Sequence, residues 1–119
     1  MNYPNYDHMR NDNIATYQHV IATWVLHNFG NDNEFATVGG LVEEVGEVMR
    51  AAVKRSQGIR GTREEWDAEL RKEAADVFIK LCDVAQFYKF DLASAIEDRW
   101  SEVSRRDWLA NPQGHGIGS

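Results

Sequence analysis

Two long apolar runs with helical spacing flank the linker SQGIRG at 56–61, and this pairing constrains the fold more than any other feature of the chain. Upstream, from about Phe35 to Gln57, Val38, Leu41, Val42, Val45, Val48, Met49, Ala52 and Val53 recur at three- and four-residue steps. That spacing places them on one face of a helix. Gly39 and Gly40 weaken its first turn. Downstream, Thr62-Arg63-Glu64-Glu65 matches a capping box, in which the Thr62 hydroxyl and the Glu65 carboxylate each accept a hydrogen bond from the other residue's amide. A helix is expected from there to about Lys89, with Trp66, Leu70, Ala74, Val77, Phe78, Leu81, Ala85 and Tyr88 on one face. Rods of this length joined by so short a linker can fold back as an antiparallel hairpin.

Two further helices complete the pattern. From Asn13 to Phe29 one face carries Ile14, Tyr17, Ile21, Trp24 and Val25; Asn11, Asp12 and Asn13 offer cap oxygens, and Gly30-Asn31 supplies the stop. Asp91 can cap a last helix from Leu92 to about Leu109, ended by Asn111-Pro112. No strand pattern is present. The expected fold is therefore all-α, a four-helix bundle in one domain spanning 1–119. Its ordered core runs over about 13–109, between a polar N-terminal arm and a glycine-rich tail with nothing to pack. The breadth of the stripes leaves apolar surface for a partner subunit.

Composition narrows the function. With 43% hydrophobic and 27% charged residues, 119 residues suit one globular core. No apolar run approaches a membrane span of about 20 residues, and the N-terminus lacks the charged and apolar regions of a signal peptide. The single cysteine, Cys82, has no internal disulfide partner, which fits the cytoplasm, and it reads most simply as a small buried side chain. A net charge of −6 argues against a partner nucleic-acid polymer, which calls for a basic footprint. It leaves room for a nucleotide enzyme, because bound cations reverse local charge.

The acids themselves are patterned. LVEEVGEVMRA, residues 41–51, carries Glu43, Glu44 and Glu47 around Gly46. Projected at about 100° per residue, Glu44 falls roughly 100° from an apolar centre near Val45 and Leu41. Glu47 falls about 160° from it and Glu43 nearly opposite. On the next helix Glu69, Glu73, Asp76 and Lys80 share an arc of about 60° beside the apolar face. Glu69 reads as an ordinary surface acid that could extend the stripe. A hairpin would let Glu44/Glu47 face Glu73/Asp76. Four oxygen donors without His or Cys select Mg²⁺, with Mn²⁺ as a substitute, over zinc. Two carboxylates about 4 Å apart repel by roughly 4 kcal/mol at an effective dielectric of 20, so convergence calls for divalent cations. Gly46 removes a side chain where another backbone or a ligand could come close.

Taken together, Glu43-Glu44-Val45-Gly46-Glu47 and, after twenty-five residues, Glu73-Ala74-Ala75-Asp76 resemble the E-E-x-x-E and E-x-x-D motifs of the MazG-like nucleoside triphosphate pyrophosphohydrolases. The resemblance covers roughly 14–108. It implies a dimer or tetramer that hydrolyses an NTP or dNTP to the monophosphate and pyrophosphate with Mg²⁺. It implies Glu44, Glu47, Glu73 and Asp76 as metal ligands. Glu43 would stand behind them or act as a base orienting the attacking water.

The family's last helix often carries Lys and Asn reaching phosphate and base; here Arg99 and Ser104 stand near those places and Arg106 near a frequent arginine. Lys80 is a further phosphate candidate, beside its alternative as an i,i+4 partner of Asp76. Trp24, His27 and His19 are base-pocket candidates by residue type, although Trp24 also reads as core. His115 sits in the tail, which could order over a nucleotide. Within the same fold, phosphoribosyl-ATP and alarmone pyrophosphohydrolases share the acidic motif. Outside it stand a non-catalytic helical dimerisation module and a di-iron bundle, the latter disfavoured by the lack of Glu-x-x-His.

Overall fold

The computed structural model describes residues 13–31 and 33–114. These form four α-helices and no strand: α1 (Ile14–Phe29), α2 (Glu34–Gln57), α3 (Arg63–Phe87) and α4 (Leu92–Val103). The fold is all-α, as the periodicity implies. The expectations for the N-terminal arm and for His115 fall outside the described residues.

Side chains set each helix start. Asn13 Oδ1 accepts from the Thr16 amide at 2.8 Å and Asn33 Oδ1 from the Ala36 amide at 2.9 Å. The Asn33 cap lets α2 begin at Glu34, with Gly39 and Gly40 well inside the helix. Thr62 and Glu65 form the expected capping box, at 3.1 and 3.3 Å. Asp91 Oδ1 accepts from the Ala93 amide at 3.2 Å.

Two helix ends differ from expectation. α3 stops at Phe87 rather than Lys89, because Lys89 adopts a left-handed φ of 60° and the chain closes through Phe90 N–H to Ala85 O at 3.0 Å. α4 stops at Val103 rather than Leu109. Beyond it, Asp107 Oδ1 accepts from the amides of both Leu109 and Ala110 at 3.0 Å. That carboxylate gives the backbone a local alternative to helix.

α2 and α3 pack along their lengths as the expected antiparallel hairpin. At its open end the Tyr88 hydroxyl donates to Glu34 Oε1 at 2.7 Å. At its closed end Arg55 pairs with Asp67, the Trp66 indole N–H donates to Ile59 O at 3.0 Å, and Arg50 lies over the Trp66 ring. α1 packs on α3, with Tyr17 edge-on to Phe78 at 6.0 Å. Buried Gln18 ties α1 to the α3–α4 corner: its amide donates to Phe90 O at 2.9 Å and its carbonyl accepts from Leu92 N at 2.8 Å. α4 packs on α1.

The apolar stripe of α2 does not form the core. Val42 is 66% exposed and Met49 64%, while Thr37 and Ala51 are buried. Relative to the expected orientation, α2 is turned by about a quarter of a turn. The small side chains Thr37, Gly40 and Ala51 let α3 approach closely, and the larger apolar residues face away. Gly46 faces outward too, with no atom within 4 Å of a Cβ placed there. The close approach expected at Gly46 is thus absent within one chain.

Candidate metal centre

Turning α2 in this way carries Glu44 toward α3. Glu44, Glu73 and Asp76 each offer a carboxylate oxygen, and these oxygens lie within 4.8 Å of one another. Glu73 is buried, whereas Glu44 and Asp76 are half-buried. Helix geometry produces the cluster. Glu73 and Asp76 are three apart and share a face of α3. Glu44 lies seven residues from both Thr37 and Ala51, the two buried positions of α2.

Like charges this close perturb one another. Glu69, one turn before Glu73, shares a hydrogen bond with it. That bond and burial hold the Glu73 carboxyl above its usual range. The same bond, together with Lys72, holds Glu69 below its usual range. Lys72 lies 3.2 Å from Glu69 and 3.6 Å from Glu73 and supplies a positive charge at the rim. Glu69 is therefore tied to the cluster rather than being an ordinary surface acid.

One turn further along α3, Lys80 lies across Gly40. A Cβ at residue 40 would stand 2.2 Å from Lys80 Cε and 2.8 Å from Nζ. The Lys80 ammonium reaches Asp83 Oδ2 at 3.4 Å rather than pairing with Asp76. Asp83 is buried and was not among the residues singled out from the sequence. Continuing the α3 projection past Lys80 puts it about 20° from Asp76, so that signal was present. Buried Thr37, at 0% exposure, has a hydroxyl oxygen with no hydrogen-bond partner.

The other expected site residues lie elsewhere. Glu43 and Glu47 are exposed, and Glu47 stands outside the cluster of three. Trp24 packs edge-on against Phe29 at 5.6 Å, and His27 lies exposed in the last turn of α1. A cavity beside them takes the His19, Thr23 and Leu26 side of α1 instead. Arg99 pairs with Glu102 at 3.0 Å on α4, and Arg106 follows that helix. Because α4 rests on α1, neither arginine is carried to the acidic cluster within one chain.

The donor set fits a hard divalent cation. All three ligand atoms are carboxylate oxygens, and an ion among them would oppose the crowding and burial that raise the Glu73 carboxyl. Residues 33–108, well over half of the chain and including every acid of the cluster, match the family model of the MazG nucleotide pyrophosphohydrolase domain. The chain belongs to the MazG nucleotide pyrophosphohydrolase family. The MazG match begins at the cap of α2 and leaves α1 outside it. No curated protein and no solved structure matches the chain significantly.

Proposed function

We propose that the protein is a magnesium-dependent nucleoside triphosphate pyrophosphohydrolase that releases the monophosphate and pyrophosphate. The observation that carries this reading is the convergence of Glu44, Glu73 and Asp76 from two helices in a chain of the MazG family. These three carboxylates would hold Mg²⁺ or Mn²⁺. Glu47, one turn beyond Glu44, would join them by a change of side-chain rotamer. A bound ion would supply positive charge to the phosphate oxygens and acidify water beside them.

The remaining work falls to the chain's own groups. Glu73 acts as a ligand in its ionised form, and Lys72, between it and Glu69, holds it in place. Glu43 stays out of contact with the cluster here and serves as the proton acceptor for water once a substrate draws the site together. Lys80, held over Gly40, offers its ammonium to the phosphates. Arg99, Arg106, Trp24 and His27 would take part through a second copy of the chain. The outward stripe of Val42, Val45 and Met49 provides the apolar face for a homodimer, which a homotetramer would extend. No helix among the described residues is long and apolar enough to cross a membrane, and the unpaired Cys82 suits a cytoplasmic setting.

A panel of NTPs and dNTPs, assayed with magnesium in ¹⁸O-water, tests the proposal. Attack at the α-phosphate puts the label in the monophosphate and leaves pyrophosphate unlabelled. Release of orthophosphate, or no turnover of any member of the panel, counts against it.

A further inference from the structure

The polar strip on α3 does not end at the acidic cluster. From Asp76, Lys80 is four residues on and Asp83 seven, so the three project within about 60° of one another, with Asp83 roughly 10 Å along the axis from Asp76. Asp83 is 6% exposed. Its Oδ2 receives Lys80, while its Oδ1 has no hydrogen-bond partner among the described residues. Asp83 also lines a cavity of about 490 Å³ formed by α1, the α1–α2 connection and the end of α3. A carboxylate oxygen left without a protein donor beside a cavity with further polar groups is where a ligand would supply one.

We propose that Asp83 reads the base of the substrate and selects guanine; this rests on the function proposed above. A nucleotide whose α-phosphate lies at Glu44, Glu73 and Asp76 spans the distance to Asp83, and Lys80, four residues from Asp76, stands between the two with its ammonium within reach of the phosphates. Ionised Asp accepts only, at two adjacent oxygens. The Watson–Crick edge of guanine presents two adjacent donors, N1–H and the 2-amino group. Adenine and cytosine present a donor beside an acceptor, and uracil and thymine place one donor between two acceptors, so each sets an acceptor against the carboxylate. Guanine O6 and N7 need donors, and Gln86 and Lys89 line the same cavity. Leu26 and Phe87 provide apolar wall for the ring faces.

The test compares kcat/KM for guanine, hypoxanthine, xanthine and adenine triphosphates in the wild type and in Asp83→Asn. It also measures calorimetric binding of the matching monophosphates. Guanine is expected to exceed hypoxanthine, which lacks the 2-amino group, by about tenfold or more, as for a lost hydrogen bond to a charged group. In Asp83→Asn that ratio collapses and xanthine gains, because the amide can donate to the xanthine 2-carbonyl. Equal wild-type binding of guanine and hypoxanthine monophosphates overturns the proposal. A uniform loss across all bases in Asp83→Asn also overturns it and leaves Asp83 as a positioning residue for Lys80. If no triphosphate is turned over, the proposed function fails, while the monophosphate series, which requires no catalysis, still decides base selection.

Discussion

At the scale of single residues, position 40 separates stability from function most cleanly. Position 40 is half-buried against α3, but the atoms nearest an added Cβ are the flexible end of Lys80, so alanine there can keep its helix advantage of up to about 1 kcal/mol over glycine. At Gly40 the added methyl would drive the end of Lys80 off its path to Asp83. Gly40→Ala is therefore expected to fold at least as well as the wild type by thermal melting, while KM for triphosphate rises. An unchanged KM would remove Lys80 from the site. Gln18 makes the opposite prediction. Its two hydrogen bonds to the α3–α4 corner are partly buried, and Gln18→Ala leaves Phe90 O and Leu92 N without partners. A loss of about 1–3 kcal/mol in denaturant titration follows. The pairing of Glu73 with Asp76 was legible from their three-residue spacing, but the same spacing put Glu44 and Glu47 on an equal footing, and the orientation of α2 is what brings Glu44 alone to them. Asp83 belongs to the same strip but falls outside the two acidic motifs. The link between Glu69 and Glu73 depends on rotamers that no spacing encodes.

Among the elements, α2 carries the main surprise. Its stripe was readable as apolar, but apolarity does not say which neighbour covers it. Within one chain α3 packs against the narrow side of Thr37, Gly40 and Ala51, and the valines and Met49 point away. Three helix starts were legible because Asn13, Thr62 and Asp91 are caps with defined chemistry, whereas the cap that starts α2, Asn33, lies ahead of a glycine-weakened first turn and was not. The ends were less so: Lys89 adopts a left-handed conformation usually left to glycine, and Asp107 captures amides that would otherwise continue α4. If a second copy covers α2, Val42→Glu together with Met49→Lys will shift sedimentation velocity from dimer toward monomer while helicity persists. A wild type that sediments as a monomer would refute the pairing. The orientation of Gly46 adds a related expectation. Gly46→Ala stabilises an uncovered α2 by up to about 1 kcal/mol and destabilises one whose partner backbone lies against that glycine.

For the whole molecule, charge and pH connect the site to stability. A carboxyl whose folded pKa is raised binds its proton more tightly in the folded than in the unfolded state. Its contribution is complete below the unfolded pKa and is lost as pH rises through the folded value. Glu73 thus weakens the metal-free fold as pH rises above the ordinary carboxylate range. Glu73→Gln, which resembles the protonated acid, should melt close to the wild type at acid pH and increasingly above it toward neutrality. The lowered Glu69 works in the opposite sense, so the comparison isolates Glu73 only when Glu69→Gln is measured beside it. An ion at the cluster competes with the same proton, so magnesium should raise the wild-type melting temperature more at neutral than at acid pH. It should do little for Glu73→Gln. The most direct test is anomalous diffraction from crystals soaked in manganese. A peak is expected between α2 and α3, within coordination distance of the Glu44, Glu73 and Asp76 carboxylates. Full manganese occupancy elsewhere, with those three side chains turned apart and no density between them, would contradict it.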